Sequence, residues 1–243
     1  MKYVGSKNRI SKYIAPIIQS YIDNMPNCKG YIEPFVGGAN MIDKIKCDNK
    51  IGLDIHKYLI ALLKYVSNSG ALPFDFSEEE YISVRDNPSN YNDWYVGLIG
   101  FNSFGAKWFG GYPRGFKSDK TTPRNIVAEG INNLRKQAPN LKGIKFINKS
   151  FQKLNPNKVK GYVIYCDPPY RDTTKYATSE FPYDEFYDWC RKFSKENVVL
   201  ISEYNMPDDF ECIWQKEVTT SLDNNRVGKD IARVEKLFIY RGD

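Results

Sequence analysis

The chain has 243 residues, of which 42% are hydrophobic, so it can bury a core as one large domain or as a domain with an insertion. A net charge of +6 permits a polyanionic partner, while a single histidine disfavours a histidine-based metal site or a serine–histidine triad. Five scattered cysteines without a CxxC pair, and no apolar stretch long enough to span a membrane, favour a reduced cytoplasmic protein without a zinc site or a disulfide framework.

The amino-terminal part of the chain alternates between strand and helix patterns. Apolar residues recur at helical spacing over 10–22 in spite of Pro16, and His56 is predicted to start a later helix at the surface. The alternation predicts an α/β fold. The predicted elements are a helix at 10–22, a strand at 31–35 ending at Gly37-Gly38, a helix at 39–46, a strand at 51–55 and a helix at 57–66.

Between about residues 70 and 140 this alternation lapses. Ser77 and Glu80 form a capping-box pattern that predicts a short helix, and a second helix is indicated over 126–137. The segment between them is dense in glycine, aromatic and basic residues. Within 101–120 only Asp119 opposes four basic side chains, namely Lys107, Arg114, Lys117 and Lys120.

The alternation resumes in the last hundred residues. Strands are predicted at 144–147, 162–166 and 198–201, with a helix at 184–195 before the last of these. Two closing strands are predicted at 210–218 and 234–240, joined by a mobile charged loop over 223–233.

The tetrapeptide Asp167-Pro168-Pro169-Tyr170 directly follows the buried strand at 162–166. Open α/β sheets place their chemistry at this end of their strands. A carboxylate and a nearby carbonyl can accept both N–H bonds of an exocyclic amine while an aromatic ring stacks on a flat base. The prolines remove two N–H donors and stiffen the turn. The alternative is a proline-rich turn that ends in a surface tyrosine.

A glycine turn and an acid indicate a cofactor site. Gly37-Gly38 follow the first strand, and Asp54 ends the second strand 21 residues after Glu33, where a carboxylate can accept ribose hydroxyls. The chain lacks a GxGxxG pattern here and a Walker-type lysine, so a cofactor with ribose but no phosphate, such as S-adenosylmethionine, fits best. The alternative for the glycines is a tight structural turn. Residues 3–7 either cover the cofactor, with Lys7 near its carboxylate, or form a frayed terminus.

Together these segments resemble the Dam-like, class D12, alpha-group DNA adenine-N6 methyltransferases, in order and over nearly the whole chain. Residues 3–7 resemble the amino-terminal cofactor motif, 33–38 the EPFxG loop, and 150–151 the segment beside the cofactor adenine. Asp54 matches the ribose-binding acid, and 167–170 the catalytic motif. Ser202-Glu203 departs from the Ser-Asn of some relatives, and residues 104–111 resemble phage-type members, so no GATC target is implied.

The resemblance implies a Rossmann-like methyltransferase sheet, mostly parallel with an antiparallel strand near the carboxyl terminus. It places a catalytic domain at 1–69 and 141–243 and an inserted target-recognition region at 70–140. The implied catalytic residues are Asp167, Pro168, Pro169 and Tyr170. The implied cofactor-binding residues are Tyr3, Lys7, Glu33, Phe35, Gly37, Asp54, Ile55, Phe151 and Asp167, and the implied DNA-binding residues are Asn102, Lys107, Trp108, Tyr112, Arg114, Lys117 and Arg124.

The implied reaction is methyl transfer from S-adenosylmethionine to adenine N6 in a base flipped out of double-stranded DNA, without a metal. Trp108, Phe109 or Tyr112 fills the vacated space or forms a local aromatic core, and 171–182 forms a lid. We expect a monomer in the cytoplasm of a bacterial or phage-infected cell. The alternatives are methylation of cytosine N4 or of a protein glutamine, whose tetrapeptides usually begin with Ser and Asn, and a catalytically silent DNA-binding relative.

Overall fold

The computed structural model describes residues 1–115, 121–170, 181–220 and 231–241. They form an α/β structure around a seven-stranded sheet with the order β3-β2-β1-β4-β5-β7-β6. The strands are β1 (Gly30–Glu33), β2 (Lys50–Asp54), β3 (Lys145–Asn148), β4 (Tyr162–Cys166), β5 (Val198–Glu203), β6 (Phe210–Thr220) and β7 (Ile231–Tyr240).

Strands β1 to β5 pair in parallel, whereas β7 runs antiparallel to both β5 and β6. This confirms the predicted sheet, mostly parallel with an antiparallel strand near the carboxyl terminus. Because the strand order reverses between the neighbours β1 and β4, their carboxyl ends form the topological switch point of the sheet. Glu33 ends β1 and Asp167 follows β4, so both acids lie at this edge.

Helices cover both faces of the sheet, and each face has its own core. Successive residues of a strand point to opposite sides, so Tyr31 joins one core and Ile32 the other. The α-helices are α1 (Ser11–Asn24), α2 (Lys57–Ser67), α3 (Glu78–Asp86), α4 (Asp93–Phe101), α5 (Ile126–Leu141) and α6 (Tyr183–Ser194). Helices α3 and α4 follow α2 directly in the chain, and α4 packs against α2 and against α3.

The structure corrects the predicted helix at 39–46, where only Ile42–Lys44 form one 3-10 turn. Ala39 adopts a positive φ of 55°, which interrupts an α-helix. The side-chain amide of Gln137 on α5 also donates to the carbonyls of Gly38 and Ala39, at 3.2 and 2.9 Å. These carbonyls are therefore held by α5 instead of by a local helix.

Helix α4 was not predicted, and other boundaries moved. Strand β7 begins at Ile231, inside the predicted loop at 223–233, and residues 221–230 lie outside the described ranges. Most of the predicted lid, 171–180, also lies outside them. In the part of the chain that is described, no helix is long and apolar enough to cross a membrane.

Candidate active site

The residues that follow β4 surround a buried ammonium group. Nζ of Lys7 lies 2.9 Å from Oδ1 of Asp167 and 3.9 Å from Oε2 of Glu235 on β7. It also lies 4.3 Å from the ring centroid of Tyr170. The side chains of Lys7, Asp167 and Glu235 are between 10% and 19% exposed, so one cation serves two carboxylates with little screening by water.

The pKa values of Lys7 and Asp167 reflect this crowding. Burial lowers the pKa of Lys7, but the carboxylates of Asp167 and Glu235 raise it, and the net shift is upward. Burial raises the pKa of Asp167, and the adjacent Lys7 ammonium opposes that rise. The ammonium therefore stabilises the ionised carboxylate at the end of β4.

Tyr170 is held from several sides and is only 8% exposed. Its hydroxyl donates to Oε2 of Glu235 at 2.9 Å, and the ring of Tyr204 meets its ring edge-on at a centroid distance of 4.5 Å. Pro168 is buried, and the carbonyl of Pro169 accepts a hydrogen bond of 3.1 Å from the Tyr183 hydroxyl. The turn after β4 is thereby fixed on both sides.

Glu33 adds a further buried acid to this edge. It is 3% exposed, and its Oε1 accepts a hydrogen bond of 2.7 Å from the Tyr31 hydroxyl. Burial raises the pKa of Glu33 well above its ordinary value, although the Tyr31 hydrogen bond opposes the rise. Burial in this edge therefore disfavours the ionised form of the Glu33 carboxyl, and the charge of Asp167 acts in the same direction.

Asp54, at the end of β2, joins two loops through its carboxylate. Oδ2 accepts from the backbone N–H of Gly37 at 3.2 Å, and Oδ1 accepts from the backbone N–H of His56 at 2.9 Å. Burial raises the pKa of Asp54, against the effect of these backbone donors. An ionised carboxylate has room for further donors, so it can also bind hydroxyls of a ligand.

The glycine turn after β1 lies against Tyr3. Gly37 has a φ of +46°, and a Cβ there would come within 2.9 Å of Cε1 of Tyr3. Asn40 continues this contact, since its side chain donates to Oγ of Ser6 at 2.8 Å. The amino-terminal segment is thus packed onto the turn, and Asn40 and Gln137 are site-supporting residues that the sequence reasoning missed.

A cluster of aromatic rings brings together Phe35, which follows β1, and Phe151, which follows β3. The ring of Phe35 lies 5.3 Å from that of Phe151 and 5.6 Å from that of Phe186, and Phe181 packs on the same group. Ile55 is 77% exposed, which is unusual for a large apolar side chain at the end of a core strand. An acid that can accept hydroxyls, an exposed apolar residue and a close-packed glycine turn fit a nucleoside cofactor.

Four of the seven predicted DNA-binding residues form hydrogen bonds or ion pairs with other residues of the protein. Nδ2 of Asn102 donates to the carbonyl of Val127 at 2.9 Å, and the hydroxyl of Tyr112 donates to the carbonyl of Phe76 at 3.1 Å. Two arginines form ion pairs with glutamates, Arg114 with Glu78 and Arg124 with Glu129.

Trp108 belongs to a local aromatic cluster while remaining 36% exposed. Its ring stacks on Tyr58 at 5.4 Å and meets His56 at 4.3 Å and Phe101 at 4.8 Å. His56 is therefore half-buried, which corrects its predicted place at the surface. Lys107 is exposed, whereas Lys117 lies outside the described residues.

Within the described ranges, no group of three or more His, Cys, Asp or Glu side chains could hold a metal ion. Chemically, the site offers carboxylates, backbone carbonyls and stacked rings to a ligand. These groups can orient an amine and a planar ring, and they can bind hydroxyls nearby.

Comparison with known proteins gives distant structural likenesses and one family. TrmN from Thermus thermophilus is 9% identical, with 97% of this chain and 53% of that chain covered and a TM-score of 0.38. SMU.472, described as a candidate methyltransferase complexed with SAH, is 12% identical, with 100% and 54% covered and a TM-score of 0.40. The chain thus spans about half the length of these structures.

No curated protein matches the chain. A family model described as D12 class N6 adenine-specific DNA methyltransferase matches residues 3–226. The match runs from the amino-terminal segment that packs on the glycine turn, through the acids at the ends of β1 and β2 and the turn after β4, to the region beyond β6. The chain therefore belongs to the D12 class N6 adenine-specific DNA methyltransferase family.

Proposed function

We propose that this chain transfers a methyl group from S-adenosylmethionine to the N6 amine of adenine in double-stranded DNA. The observation that supports this most is the position of the Lys7 ammonium, which donates to Asp167 while it lies over the ring of Tyr170. An N–H donor on a carboxylate, beside an aromatic face, is the arrangement that the exocyclic amine of a stacked base requires. This contact supports a place for the target amine between Asp167 and the ring of Tyr170.

In the proposed reaction, Asp167 and the carbonyl of Pro168 accept the two N–H bonds of the amine. These bonds would draw the nitrogen towards tetrahedral geometry and aim its lone pair at the methyl group, while Tyr170 stacks on the base. The N6–CH3 bond would form as the S–CH3 bond of the sulfonium breaks, and one N6 proton would then be lost to water. Positioning and electrostatic stabilisation supply the rate enhancement, and no covalent nucleophile is involved. The Lys7 side chain leaves the Tyr170 face when the base enters.

S-adenosylmethionine supplies an electrophilic methyl group when it is bound beside this site. Asp54 accepts its ribose hydroxyls, Ile55 and Phe151 flank its adenine, and the turn at Gly37 permits close approach of the backbone. The remaining residues proposed to bind this cofactor are Tyr3, Lys7, Glu33, Phe35 and Asp167.

DNA recognition is assigned to residues 70–140, with the catalytic domain at 1–69 and 141–243. Lys107 is proposed to contact phosphate and Trp108 to occupy the space that the flipped base leaves, at a flipping cost of a few kcal/mol. Arg114 and Arg124 reach DNA only by exchanging their glutamate partners for phosphates or base edges. Asn102 and Tyr112 support the fold of the region through hydrogen bonds to backbone carbonyls and are proposed to contact DNA from there. Lys117 is likewise proposed to contact DNA.

The finer assignments are also proposals. The chain is proposed to be a phage-type member that acts as a monomer in the cytoplasm of a bacterial or phage-infected cell, with or without a partner restriction enzyme. The phage-type assignment rests on the pattern of residues 104–111.

Mass spectrometry of nucleosides from DNA treated with the protein and S-adenosylmethionine tests the proposed activity. We expect N6-methyladenine. N4-methylcytosine would identify the cytosine alternative, and methylglutamine in a protein substrate would identify the protein alternative. Cofactor binding in calorimetry without any methylated product would support the silent DNA-binding relative.

A further inference from the structure

We infer that Glu235 is a positioning residue of the methyl-transfer site, which fixes the ring of Tyr170 through its hydroxyl and offers Lys7 a second carboxylate partner besides Asp167. The inference rests on the proposed function. It concerns a residue outside the region that matches the family model, which ends at residue 226.

The contacts of Glu235 point into the site. Oε2 accepts the Tyr170 hydroxyl at 2.9 Å and lies 3.9 Å from Nζ of Lys7. The residue is 8% exposed, although most glutamates lie at protein surfaces. Burying a carboxylate costs free energy unless it is paired. The Tyr170 hydroxyl and the Lys7 ammonium offset that cost for Glu235.

The antiparallel sheet edge explains how a residue so late in the chain reaches the site. Ser202 pairs with Leu237 and Glu203 with Lys236 in the β5–β7 register, which places Glu235 beyond the carboxyl end of β5. A parallel strand at this position would present its carboxyl end to the same edge, whereas the antiparallel β7 presents its amino end. The reversed direction of β7 therefore brings a side chain from its first half beside the turn after β4.

Two effects follow for the reaction. The hydrogen bond to Glu235 limits rotation of the Tyr170 ring, so the ring can meet a base in one orientation. The carboxylate of Glu235 gives the Lys7 ammonium a second partner. When the amine of the base takes the place of Lys7 at Asp167, Lys7 therefore still has a carboxylate beside it. Glu235 acts through these two residues and does not itself contact the reacting atoms.

Three variants test the role of Glu235 in turnover. Glu235→Leu removes the acceptor and the charge, Glu235→Gln keeps an acceptor, and Tyr170→Phe removes the donor but keeps the ring. We expect kcat to fall about tenfold in Glu235→Leu, with KM for cofactor and DNA within about twofold, and Glu235→Gln to recover most of the loss. In the Tyr170→Phe background, Glu235→Leu should cause a smaller further loss, because only the Lys7 contact of Glu235 remains there to be removed.

A second readout does not require turnover. The ¹³Cζ NMR signal of Tyr170, assigned by its absence from Tyr170→Phe, should shift in Glu235→Leu and shift less in Glu235→Gln. Glu217→Gln on β6, an exposed glutamate, is the matched control and should leave this signal and kcat unchanged. Melting temperatures establish that each variant is folded.

The outcomes separate the two proposals. If the wild-type protein methylates no DNA but the NMR signal shifts as described, the proposed function fails and the contact of Glu235 with Tyr170 stands. If Glu235→Leu keeps wild-type kcat, or lowers it equally with and without the Tyr170 hydroxyl, the positioning role is overturned. An unchanged ¹³Cζ signal in a folded Glu235→Leu protein would also overturn it.

Discussion

At the residue scale, Asp54 links the end of β2 to the turn after β1, because one carboxylate accepts a backbone N–H from each side. The remaining acceptor capacity of the two oxygens is what a ribose would use. The same side chain is thus both a support of the turn and the proposed ligand for the cofactor.

Asp54→Asn should weaken cofactor binding and lower Tm by a few degrees without unfolding the protein, because the amide keeps one acceptor oxygen for the N–H groups of Gly37 and His56. Hydrogen bonds to charged groups contribute about 1.5–3 kcal/mol, so we expect the Kd for S-adenosylmethionine to rise about tenfold or more in calorimetry. Asp48→Asn, an exposed residue just before β2, is the control and should leave Kd unchanged. An unaltered Kd in a folded Asp54→Asn protein would remove Asp54 from the cofactor site.

Single residues differ in how far the sequence reveals them. Asp54 and Asp167 end or follow apolar strands, so their strand-end positions could be predicted from the alternation alone. Glu235 could not, because Glu235 and Lys236 are adjacent and only the strand register decides which of them points to the site. Long-range pairing and an irregularity between Cys212 and Trp214 set that register in β6 and β7.

At the element scale, helix α2 has His56, the one histidine of the chain, as its N-cap residue. Nδ1 of His56 accepts the backbone N–H of Leu59 at 3.4 Å, which requires an unprotonated nitrogen. Burial lowers the pKa of His56 below its ordinary value of 6.5. Protons therefore bind the unfolded chain more readily than the folded chain in this range.

The sign of the pH effect follows from that downward shift. The contribution of His56 to stability is present above about pH 6.5 and is lost as the pH falls towards the lower, folded-state pKa. We expect acidification from about pH 8 to about pH 5 to lower Tm more in the wild type than in His56→Asn, whose side-chain oxygen caps without titrating. The extra loss should be a few degrees for a cap worth about 1 kcal/mol.

Differential scanning calorimetry across this range makes the comparison. The slopes of Tm against pH matter, since His56→Asn also loses the ring contacts to Phe101 and Trp108. Identical slopes in the two proteins would contradict the titrating cap.

Helix α4 could not be predicted from the spacing of apolar residues in the sequence. Val96–Phe101 are all buried, so the helix lacks the polar face that gives a 3.6-residue pattern. Gly97 weakens the pattern further, yet a Cβ there would lie 2.2 Å from the carbonyl oxygen of Tyr58, so α2 and α4 approach too closely for a larger residue. Tertiary packing, which single-sequence periodicity does not contain, stabilises this helix.

At the scale of the whole molecule, the sheet order brings segments from distant parts of the chain to one edge. Lys7, Asp167 and Glu235 meet although they lie near the start, the second half and the end of the sequence. The strand–helix alternation predicted the class of fold and the edge that carries the chemistry. It could not predict which partner Lys7 binds, since that depends on how the amino-terminal segment packs over Gly37.

The proposed DNA surface has a consequence for salt dependence. Lys107 is exposed in the region assigned to recognition, and a phosphate contact releases about one counterion. Lys107→Ala should reduce the slope of log K against log salt concentration by about one unit in fluorescence anisotropy with duplex DNA. Lys145→Ala, an exposed lysine at the amino end of β3 and away from the site, should leave the slope unchanged.

If both lysine variants give the wild-type slope, Lys107 does not contact phosphate. A uniform loss of affinity with an unchanged slope would instead indicate a contact with a base or a sugar.

The central claim is that the carboxylate of Asp167 orients the amine that receives the methyl group. Its most direct test is the N6-methyladenine formed per protein molecule by wild type and Asp167→Ala, at saturating S-adenosylmethionine, with melting temperature and cofactor affinity measured alongside. Because Lys7 keeps Glu235 as a partner, Asp167→Ala should stay folded while its turnover falls about a hundredfold or more, and Asp208→Ala, an exposed acid after β5, should match the wild type. Turnover of folded Asp167→Ala close to that of the wild type would contradict the claim.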